Sequence, residues 1–179
     1  LQSLLQQARE VAGVEGNGRT ELIEALAGLR SVSNGEILID GTDITRKPVA
    51  VRHDAGLSHI PEDRHRRGLI LEYTVADNLI LGLQKYFARR GVIDSDRVLK
   101  SAVEEISAFD IRPANPVLPA RALSGGNQQK GVVAREMGRS FSVLLASQPT
   151  RGVDVGAIEF IHQQLLDTRA KGKAILLVS

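Results

Sequence analysis

Short apolar runs alternate with longer amphipathic segments along this chain, and this alternation restricts its possible folds more than any other feature. Four runs have the length of strands: GEILID (35–40), LSHI (57–60), SVLLA (142–146) and AILLVS (174–179). Runs of this kind are typical of strands buried in a parallel sheet. Because the segments between them have a helical period, the sequence predicts an α/β fold.

Two of the amphipathic segments carry a clear apolar stripe, which we interpret as core-facing. In the segment 95–110 the stripe consists of Val98, Leu99, Ala102, Val103, Ile106 and Phe109. In the segment 154–172 it consists of Ile158, Ile161, Leu165 and Leu166. The second segment ends on a Lys-Gly pair, which is a common C-terminal signal of helices.

The stretch from about 74 to 120 differs from the rest of the chain. It contains two segments of helical period without a strand between them, and the string IRPANPVLPAR at its end holds three of the six prolines. Prolines limit the backbone and terminate helices. We therefore expect one domain over residues 1–179 with a helical subdomain inserted at about 74–120.

Composition excludes several classes of protein. With 179 residues and 42% hydrophobic content, the chain is long enough for one sizeable core. The 23 basic and 21 acidic residues nearly balance, which argues against a large nucleic-acid interface. There is no cysteine for a disulfide or thiolate metal site, and no apolar run of the roughly 18 residues that a membrane helix needs. The sequence begins with Leu1 and not with Met, so we expect this chain to be a part of a longer polypeptide.

A glycine-rich string, GVEGNGRT (13–20), directly precedes an amphipathic segment. Glycines let successive backbone N–H groups turn toward phosphate oxygens, and the N-terminus of the following helix adds positive charge, so the string predicts a site for ATP. Arg19 stands where such loops usually have lysine, and its broad guanidinium fits between phosphates less well than an ammonium. A tight strand-to-helix turn is the alternative interpretation. The residues assigned to phosphate binding are Gly13, Gly16, Asn17, Gly18, Arg19 and Thr20.

A second glycine-rich string, LSGGNQQK (123–130), precedes the run SVLLA. Ser124 is a good helix N-cap, and Gly125 and Gly126 leave the backbone amides of the first turn uncovered, so another anion site is expected here. Taken alone, the string would indicate only a capped helix. The string lies after a phosphate loop and before a strand that ends in a polar turn. This position in the chain makes it a much more specific indication of an anion site.

Together these strings resemble the ATP-binding subunits of ABC transporters, and the resemblance covers nearly the whole chain. GVEGNGRT resembles the Walker A loop, SVLLASQ (142–148) the Walker B strand, LSGGNQQK the signature motif and TRGVDVGA (150–157) the D-loop. The segment 59–82 is similar to the second nucleotide-binding half of bacterial importers for simple sugars and nucleosides, with PEDRHRRGL closer to the nucleoside importers. In those proteins two halves are fused in one polypeptide.

The resemblance implies an ABC-type P-loop ATPase whose own site is degenerate. In the family the Walker B strand ends in Asp-Glu, one carboxylate organising Mg²⁺ and the other acting as general base, whereas this chain has Ser147 and Gln148. Glu62 stands at the Q-loop position, so together with Arg19 four positions are altered. Thr20 still offers a hydroxyl to the metal. We expect ATP to bind, Mg²⁺ to bind weakly or not at all, and the isolated domain to hydrolyse ATP slowly or not at all.

The signature motif is intact, so it is expected to complete the ATP site of the partner half. The residues assigned to this role are Leu123, Ser124, Gly125, Gly126, Asn127 and Gln128. Asp154 in the D-loop either reaches across the same interface or caps the helix that follows it, and the sequence favours neither.

The resemblance also implies partners and a location. We expect ATP hydrolysis to energise a bacterial importer of nucleosides or simple sugars, with the first half of the same polypeptide and transmembrane permease subunits as partners. A substrate-binding protein would take part indirectly, nucleic acid would not, and the site of action would be the cytoplasmic face of the cell membrane. The alternatives are a non-catalytic nucleotide-sensing or dimerisation module, and a soluble ABC-type ATPase that acts on nucleic acid or ribosomes.

Other polar side chains carry weaker indications. The basic string RHRR (64–67) is interpreted as a solvated loop or a permease-facing surface rather than a phosphate or nucleic-acid patch. His53, His59 and His65 lack the spacing of a metal site and are interpreted as structural or surface residues. His162 is expected on the outer face of its helix.

Overall fold

The computed structural model of the chain describes residues 9–11 and 18–179, which group into two compact units. The first unit contains the described residues up to Glu62 together with Arg139–Pro149 and His162–Ser179. The second unit contains Asp63–Gly138 and Thr150–Ile161.

A four-stranded parallel sheet forms the centre of the first unit. Its strands are Arg9–Val11 (β1), Leu57–Ile60 (β4), Val143–Ser147 (β7) and Ala174–Val178 (β8), in the order β1-β8-β7-β4. All neighbouring strands run parallel. Every residue of β7 is buried, as expected for a central strand covered on both faces. The runs LSHI, SVLLA and AILLVS are therefore confirmed as strands of a parallel sheet.

The first apolar run, GEILID, does not join this sheet, so that prediction is wrong. Only Leu38–Ile39 (β2) is extended, and it pairs antiparallel with Thr42–Asp43 (β3). The two residues between these strands, Asp40 and Gly41, have φ angles of 47° and 79°. Two successive positive φ angles make the tight hairpin turn that suits Asp-Gly, so the chain folds back after two residues.

Two helices complete the first part of this unit, Arg19–Ala27 (α1) and Val49–Asp54 (α2). Arg52 of α2 is only 2% exposed, and its guanidinium makes four hydrogen bonds, all to backbone carbonyls. The acceptors are the carbonyls of Ala25, Leu26, Thr45 and Lys47, at 2.7–2.8 Å. Two of them belong to the last turn of α1, where carbonyls lack the usual partner four residues on, although that of Ala25 also accepts from the N–H of Gly28 at 3.3 Å. Arg52 thus ties α1, α2 and the loop before α2 together.

The second unit is mainly helical. Its helices are Val75–Leu79 (α3), Gln84–Phe87 (α4), Ser95–Ala108 (α5) and Gly125–Gly138 (α6), and helix Val155–Ala170 (α7) begins in it and continues into the first unit. A short hairpin of Ala88–Arg89 (β5) and Val92–Ile93 (β6) lies between α4 and α5, which corrects the expectation of a stretch without strands. Among the described helices, none combines the length and apolarity that a membrane crossing requires.

The two predicted apolar stripes are narrower in the structure than in the sequence. On α5, residues Val98, Ala102 and Ile106 are buried, whereas Leu99 and Val103 are 37% and 54% exposed. The buried residues follow each other at intervals of four, and the exposed pair is rotated by about 100° on a 3.6-residue helix.

The same narrowing occurs on α7. Ile161 and Leu165 are buried, but Leu166 is 56% exposed and does not face the core as predicted. His162 is exposed, which confirms its expected position on the outer face.

Candidate functional site

A cavity of about 90 Å³ lies in the first unit, where β7 and β8 end and α1 begins. Glu62 follows β4 by two residues, Ser147 is the last residue of β7, and Val178 is the last of β8. The carboxyl ends of parallel strands meet at one edge of a sheet, which is where α/β folds bind ligands. The lining residues are Arg19, Thr20, Glu21, Glu62, Ser147, Gln148 and Val178.

The end of β7 provides a hydroxyl and an amide to this cavity. Ser147 is 5% exposed and pairs in register with Val178 of β8. Gln148 has a φ of 41°, in the left-handed region that non-glycine residues seldom adopt, and its N–H donates to the carbonyl of Val178 at 2.7 Å. This conformation turns the chain out of the strand at the cavity, so both polar side chains are placed there by the backbone.

The start of α1 provides positive charge. Gly18 precedes the helix with a φ of 79°, and Arg19 and Thr20 form its first turn. A helix N-terminus carries a partial positive charge and unpaired N–H groups, which attract anions. The guanidinium of Arg19 donates to the carbonyl of Ser179, just beyond the end of β8. The other residues assigned to the phosphate loop, Gly13, Gly16 and Asn17, lie outside the described residues.

This set of groups suits phosphate better than it suits a divalent cation. A cation, a helix N-terminus and hydroxyl groups all favour phosphate oxygens. Mg²⁺ is usually held by carboxylates together with phosphates and water, and the carboxylates that line this cavity are those of Glu21 and Glu62. Within the described part of the chain, no three His, Cys, Asp or Glu residues lie close enough to hold a metal ion by themselves.

The second candidate surface, at the start of α6, belongs to the second unit. Ser124 precedes the helix and its hydroxyl accepts from the backbone N–H of Asn127 at 3.4 Å and from the Asn127 side chain at 2.9 Å. The side-chain oxygen of Asn127 accepts from the N–H of Arg112 at 2.7 Å. Leu123 and Gln128 are each only 7% exposed. The outer surface of this turn is therefore made by Ser124, with partial exposure of Gly125 and Asn127.

Side chains from other segments approach two glycines of this turn closely. A Cβ atom on Gly125 would lie 2.9 Å from Nη2 of Arg64, and one on Gly126 would lie 2.6 Å from Oδ2 of Asp154. Both distances are shorter than non-bonded contacts to Cβ allow. The sequence indicated that these glycines expose the backbone amides, and the structure adds a packing reason for them.

Asp154 caps α7, which confirms one of its two interpretations. Its Oδ1 accepts from the N–H of Ala157 at 2.9 Å. A side chain bonded to the third residue of a helix satisfies a backbone donor that would otherwise have none. Its reach toward a partner stays a prediction.

Removing this cap should destabilise the chain modestly. We expect Asp154→Ala to lower the free energy of unfolding by about 1 kcal/mol, while Asp154→Asn, which caps equally well, leaves it nearly unchanged. Urea denaturation of the two variants and the unmodified chain measures the difference. Equal losses in both variants would mean that the charge of Asp154, and not its capping bond, provides the stability.

Sequence reasoning missed the role of Arg64. Its guanidinium is half-buried and donates to the carbonyls of Arg151 and Gly152 at 3.0 and 3.3 Å, so the interpretation of RHRR as a solvated loop is wrong for this residue. The His65 ring lies 2.8 Å from Oε1 of Gln128, in line with its assignment as a structural residue. These partners are 63 to 88 residues away in sequence, and no local pattern indicates them.

Two carboxylates near these motifs are held in the charged form. The N–H groups of Arg66 and His65 hold the pKa of Asp63 below its usual value. Hydrogen bonds from Lys130 and Arg112 do the same to the pKa of Asp110. A lowered pKa in the folded state adds stability above the unfolded pKa, and this stability is lost as the pH falls through the folded value. Both carboxylates therefore support their turns at neutral pH and not in strong acid.

The chain matches known proteins over nearly its whole length. The ABC transporter family model matches residues 6–151. The nucleoside import ATP-binding protein NupA of Lactococcus lactis is 46% identical over 173 residues, covering 94% of this chain and 34% of that protein. The guanosine import ATP-binding protein NupO of Bacillus subtilis is 44% identical, and the ribose import ATP-binding protein RbsA of Geobacillus kaustophilus is 42% identical, with the same coverage of both chains. The chain thus spans about a third of the length of these relatives.

Solved structures agree with the fold. The ATP-binding cassette MJ0796, in a dimeric post-hydrolysis state bound to ADP and Pi, superposes with a TM-score of 0.80 at 24% identity, covering 97% of this chain and 75% of that one. A nucleotide-free cassette from an ABC transporter gives a TM-score of 0.80 at 21% identity, covering 98% and 71%. The predicted α/β fold of an ABC ATPase with a parallel sheet is confirmed.

Proposed function

Because this chain belongs to the ABC transporter family, we propose that it is an ATP-binding domain that energises the import of nucleosides or simple sugars. Three relatives that are 42–46% identical are named as import ATP-binding proteins for a nucleoside, guanosine and ribose. The two higher identities belong to the nucleoside and guanosine proteins, which favours a nucleoside as the imported substrate. Permease subunits in the membrane would be the direct partners, with a substrate-binding protein acting through them, and the domain would work at the cytoplasmic face.

The observation that carries the mechanistic part of the proposal is the end of β7. Ser147 and Gln148 line the cavity where an ATPase needs a metal-organising carboxylate and a general base. A serine hydroxyl is neutral, and an amide can orient a water molecule but cannot accept its proton. Mg²⁺ would polarise the phosphates when bound, and the lining groups that could hold it are the hydroxyl of Thr20 and the carboxylates of Glu21 and Glu62. This site would therefore bind ATP and hydrolyse it very slowly.

The turn at the start of α6 would take part in a second ATP site. Exposed Ser124 and partly exposed Gly125 and Asn127 form a turn at a helix N-terminus, which suits the terminal phosphate of a nucleotide held by another cassette. That cassette would be the first half of the same polypeptide, since the relatives are about three times the length of this chain. The dimeric state of MJ0796 bound to ADP and Pi supports such a pairing. Hydrolysis would then take place at the composite site that contains this turn.

A non-catalytic nucleotide sensor is the second candidate, and the same neutral end of β7 favours it. Both candidates bind ATP without turning it over, so the isolated chain does not separate them. Measuring transport by the full-length protein with its permease separates the two candidates. If the domain were only a sensor, altering the turn at Ser124 would leave uptake intact.

The metal dependence of ATP binding tests the degenerate site. We expect the affinity of the unmodified chain for ATP to change little with Mg²⁺, because β7 supplies no charge to the metal. Ser147→Asp should raise the affinity by about tenfold in the presence of Mg²⁺, and not in its absence. Titration calorimetry with and without Mg²⁺ measures both affinities.

The matched control for this titration is Ser33→Asp. It adds the same charge at an exposed serine outside the cavity lining, and it should leave the metal dependence unchanged. Strong Mg²⁺ dependence in the unmodified chain would show that Glu62 or another carboxylate already serves the metal, and would refute the degenerate-site proposal.

A further inference from the structure

The six residues Asp63–Gly68 form a compact turn, which we call the clamp segment. Asp63 begins it, and its Oδ1 accepts from the N–H groups of His65 and Arg66, each at 3.0 Å. The remaining residues form a single π-helical turn, Arg64–Gly68. This closed local structure projects the first two side chains, Arg64 and His65, toward other parts of the second unit.

Arg64 contacts two motifs at once. Its Nη1 donates to the carbonyl of Arg151 at 3.0 Å and its Nη2 to the carbonyl of Gly152 at 3.3 Å, both in the turn before α7. The same guanidinium lies against Gly125, where a Cβ atom would come within 2.9 Å of Nη2. A planar guanidinium can donate to two carbonyls in parallel, which a single ammonium on a flexible stem cannot do.

His65 holds the start of α6 through Gln128. The amide nitrogen of Gln128 donates to the carbonyls of Ala120 and Leu123 at 3.1 and 3.3 Å, which uses both of its hydrogens. Its Oε1 must therefore face Nε2 of His65, at 2.8 Å, and this ring nitrogen must carry a proton to donate. The orientation of the amide thus fixes the donor role of His65.

The segments held by these contacts are rich in glycine. Gly125 and Gly126 begin α6, and Gly152, with a φ of 65°, lies in the turn before α7. Glycine backbones have the largest conformational freedom, so their geometry depends on contacts from outside. The clamp segment supplies such contacts to the start of α6 and to the turn before α7.

We propose that Arg64 and His65 are positioning residues that fix the turn at Ser124 and the turn at Asp154 relative to each other. The inference rests on the proposed function, in which the turn at Ser124 meets the partner's ATP, and on the prediction that the turn at Asp154 reaches toward the same partner. Loss of either contact would let the glycine segments move and would weaken closure without altering the cavity at the end of β7. The effect belongs to the catalytic step and not to the first binding of ATP.

The test uses the full-length protein assembled with its permease. Arg64→Ala should lower kcat for ATP about tenfold while KM for ATP stays within about twofold, since the interaction acts only in the closed state. Arg64→Lys should recover little of the lost kcat, because one ammonium cannot replace a guanidinium that donates to two carbonyls. His65→Leu should also lower kcat, and His65→Gln should restore it, because the glutamine amide places a donor at the same distance.

Hydrogen exchange on the same variants reports the geometry directly. Arg64→Ala should speed exchange of the backbone amides at 125–128 and 151–154. Arg66→Ala is the matched control, because Arg66 lies in the same turn, has the same charge and is exposed. It should leave the exchange of these amides unchanged.

Three outcomes decide the inference. Faster exchange in Arg64→Ala with unchanged kcat would overturn the positioning role, and unchanged exchange would show that the contact does not hold the turns. If Arg64→Ala does not fold, the His65 pair carries the test, and equal kcat in His65→Leu and His65→Gln would count against it. A separate variant tests the proposed function itself. If Ser124→Asp, which places a negative charge in the turn, leaves ATP turnover unchanged, the proposed function fails.

Discussion

Ser124→Asp should abolish ATP turnover in the full-length transporter while leaving this domain folded. Aspartate is as good an N-cap as serine, and its charge is favourable at a helix N-terminus, so α6 should be as stable as before or slightly more so. The exposed position of Ser124 leaves room for the larger side chain. If this turn meets the terminal phosphate of the partner's ATP, however, the negative charge of the carboxylate repels that phosphate.

We expect turnover and uptake to fall by about 10²-fold or more, the size of effect seen when a stabilising donor at a developing charge is lost. Ser124→Asn is the matched control, since it has the same shape and caps equally well but carries no charge. Turnover is measured as phosphate release, and the stability of the domain by thermal denaturation. Equal turnover in the Asp and Asn variants would exclude a phosphate at this turn and with it the proposed composite site.

Arg52→Met should strongly destabilise the first unit. Methionine fills a similar apolar volume but donates nothing, so the carbonyls of Ala25, Leu26, Thr45 and Lys47 lose a buried donor. At about 1–3 kcal/mol for each unsatisfied buried group, a loss of at least about 3 kcal/mol in the free energy of unfolding is expected. Burial lowers the pKa of Arg52, but the carbonyls around it favour the charged form.

Urea denaturation measures this loss, and hydrogen exchange at 25–28 locates it. Arg52→Lys should recover only part of the stability, because its ammonium cannot reach all four acceptors. Arg46→Met is the control, an exposed arginine in the loop just before α2, and should cost less than about 0.5 kcal/mol. A loss no larger in Arg52→Met than in Arg46→Met would mean that water replaces the guanidinium.

The parts of the fold that the sequence predicted are those that depend on local pattern. Three apolar runs become parallel strands, and because strand ends converge, the grouping of Glu62, Ser147 and Gln148 at one edge could be anticipated. The run GEILID also contains apolar residues over a strand-like length, but the Asp40-Gly41 turn at its end takes precedence over its apolar pattern. The apolar content of the run did not indicate that the chain turns back here. The pair Asp40-Gly41 could have indicated it.

The contacts of arginine could not be predicted from the sequence at all. Arg52 and Arg64 stand near other arginines that are exposed, such as Arg46 and Arg66, and nothing local distinguishes the buried or bonded arginine from its exposed neighbour. Their partners are backbone carbonyls far along the chain, which are the same chemical group at every position. Such contacts follow from the packing of whole elements, so only the folded structure shows them.

The neutral end of β7 also bears on the energetics of import under the proposed function. A nucleotide held beside Ser147 and Gln148 would outlast many cycles at the partner site, so the coupling stoichiometry would be one ATP per substrate molecule and not two. The concentration gradient that the importer could sustain would then be limited by the free energy of a single hydrolysis. The retained nucleotide would act as a permanent part of the interface, leaving only one of the two sites to empty and refill in each cycle.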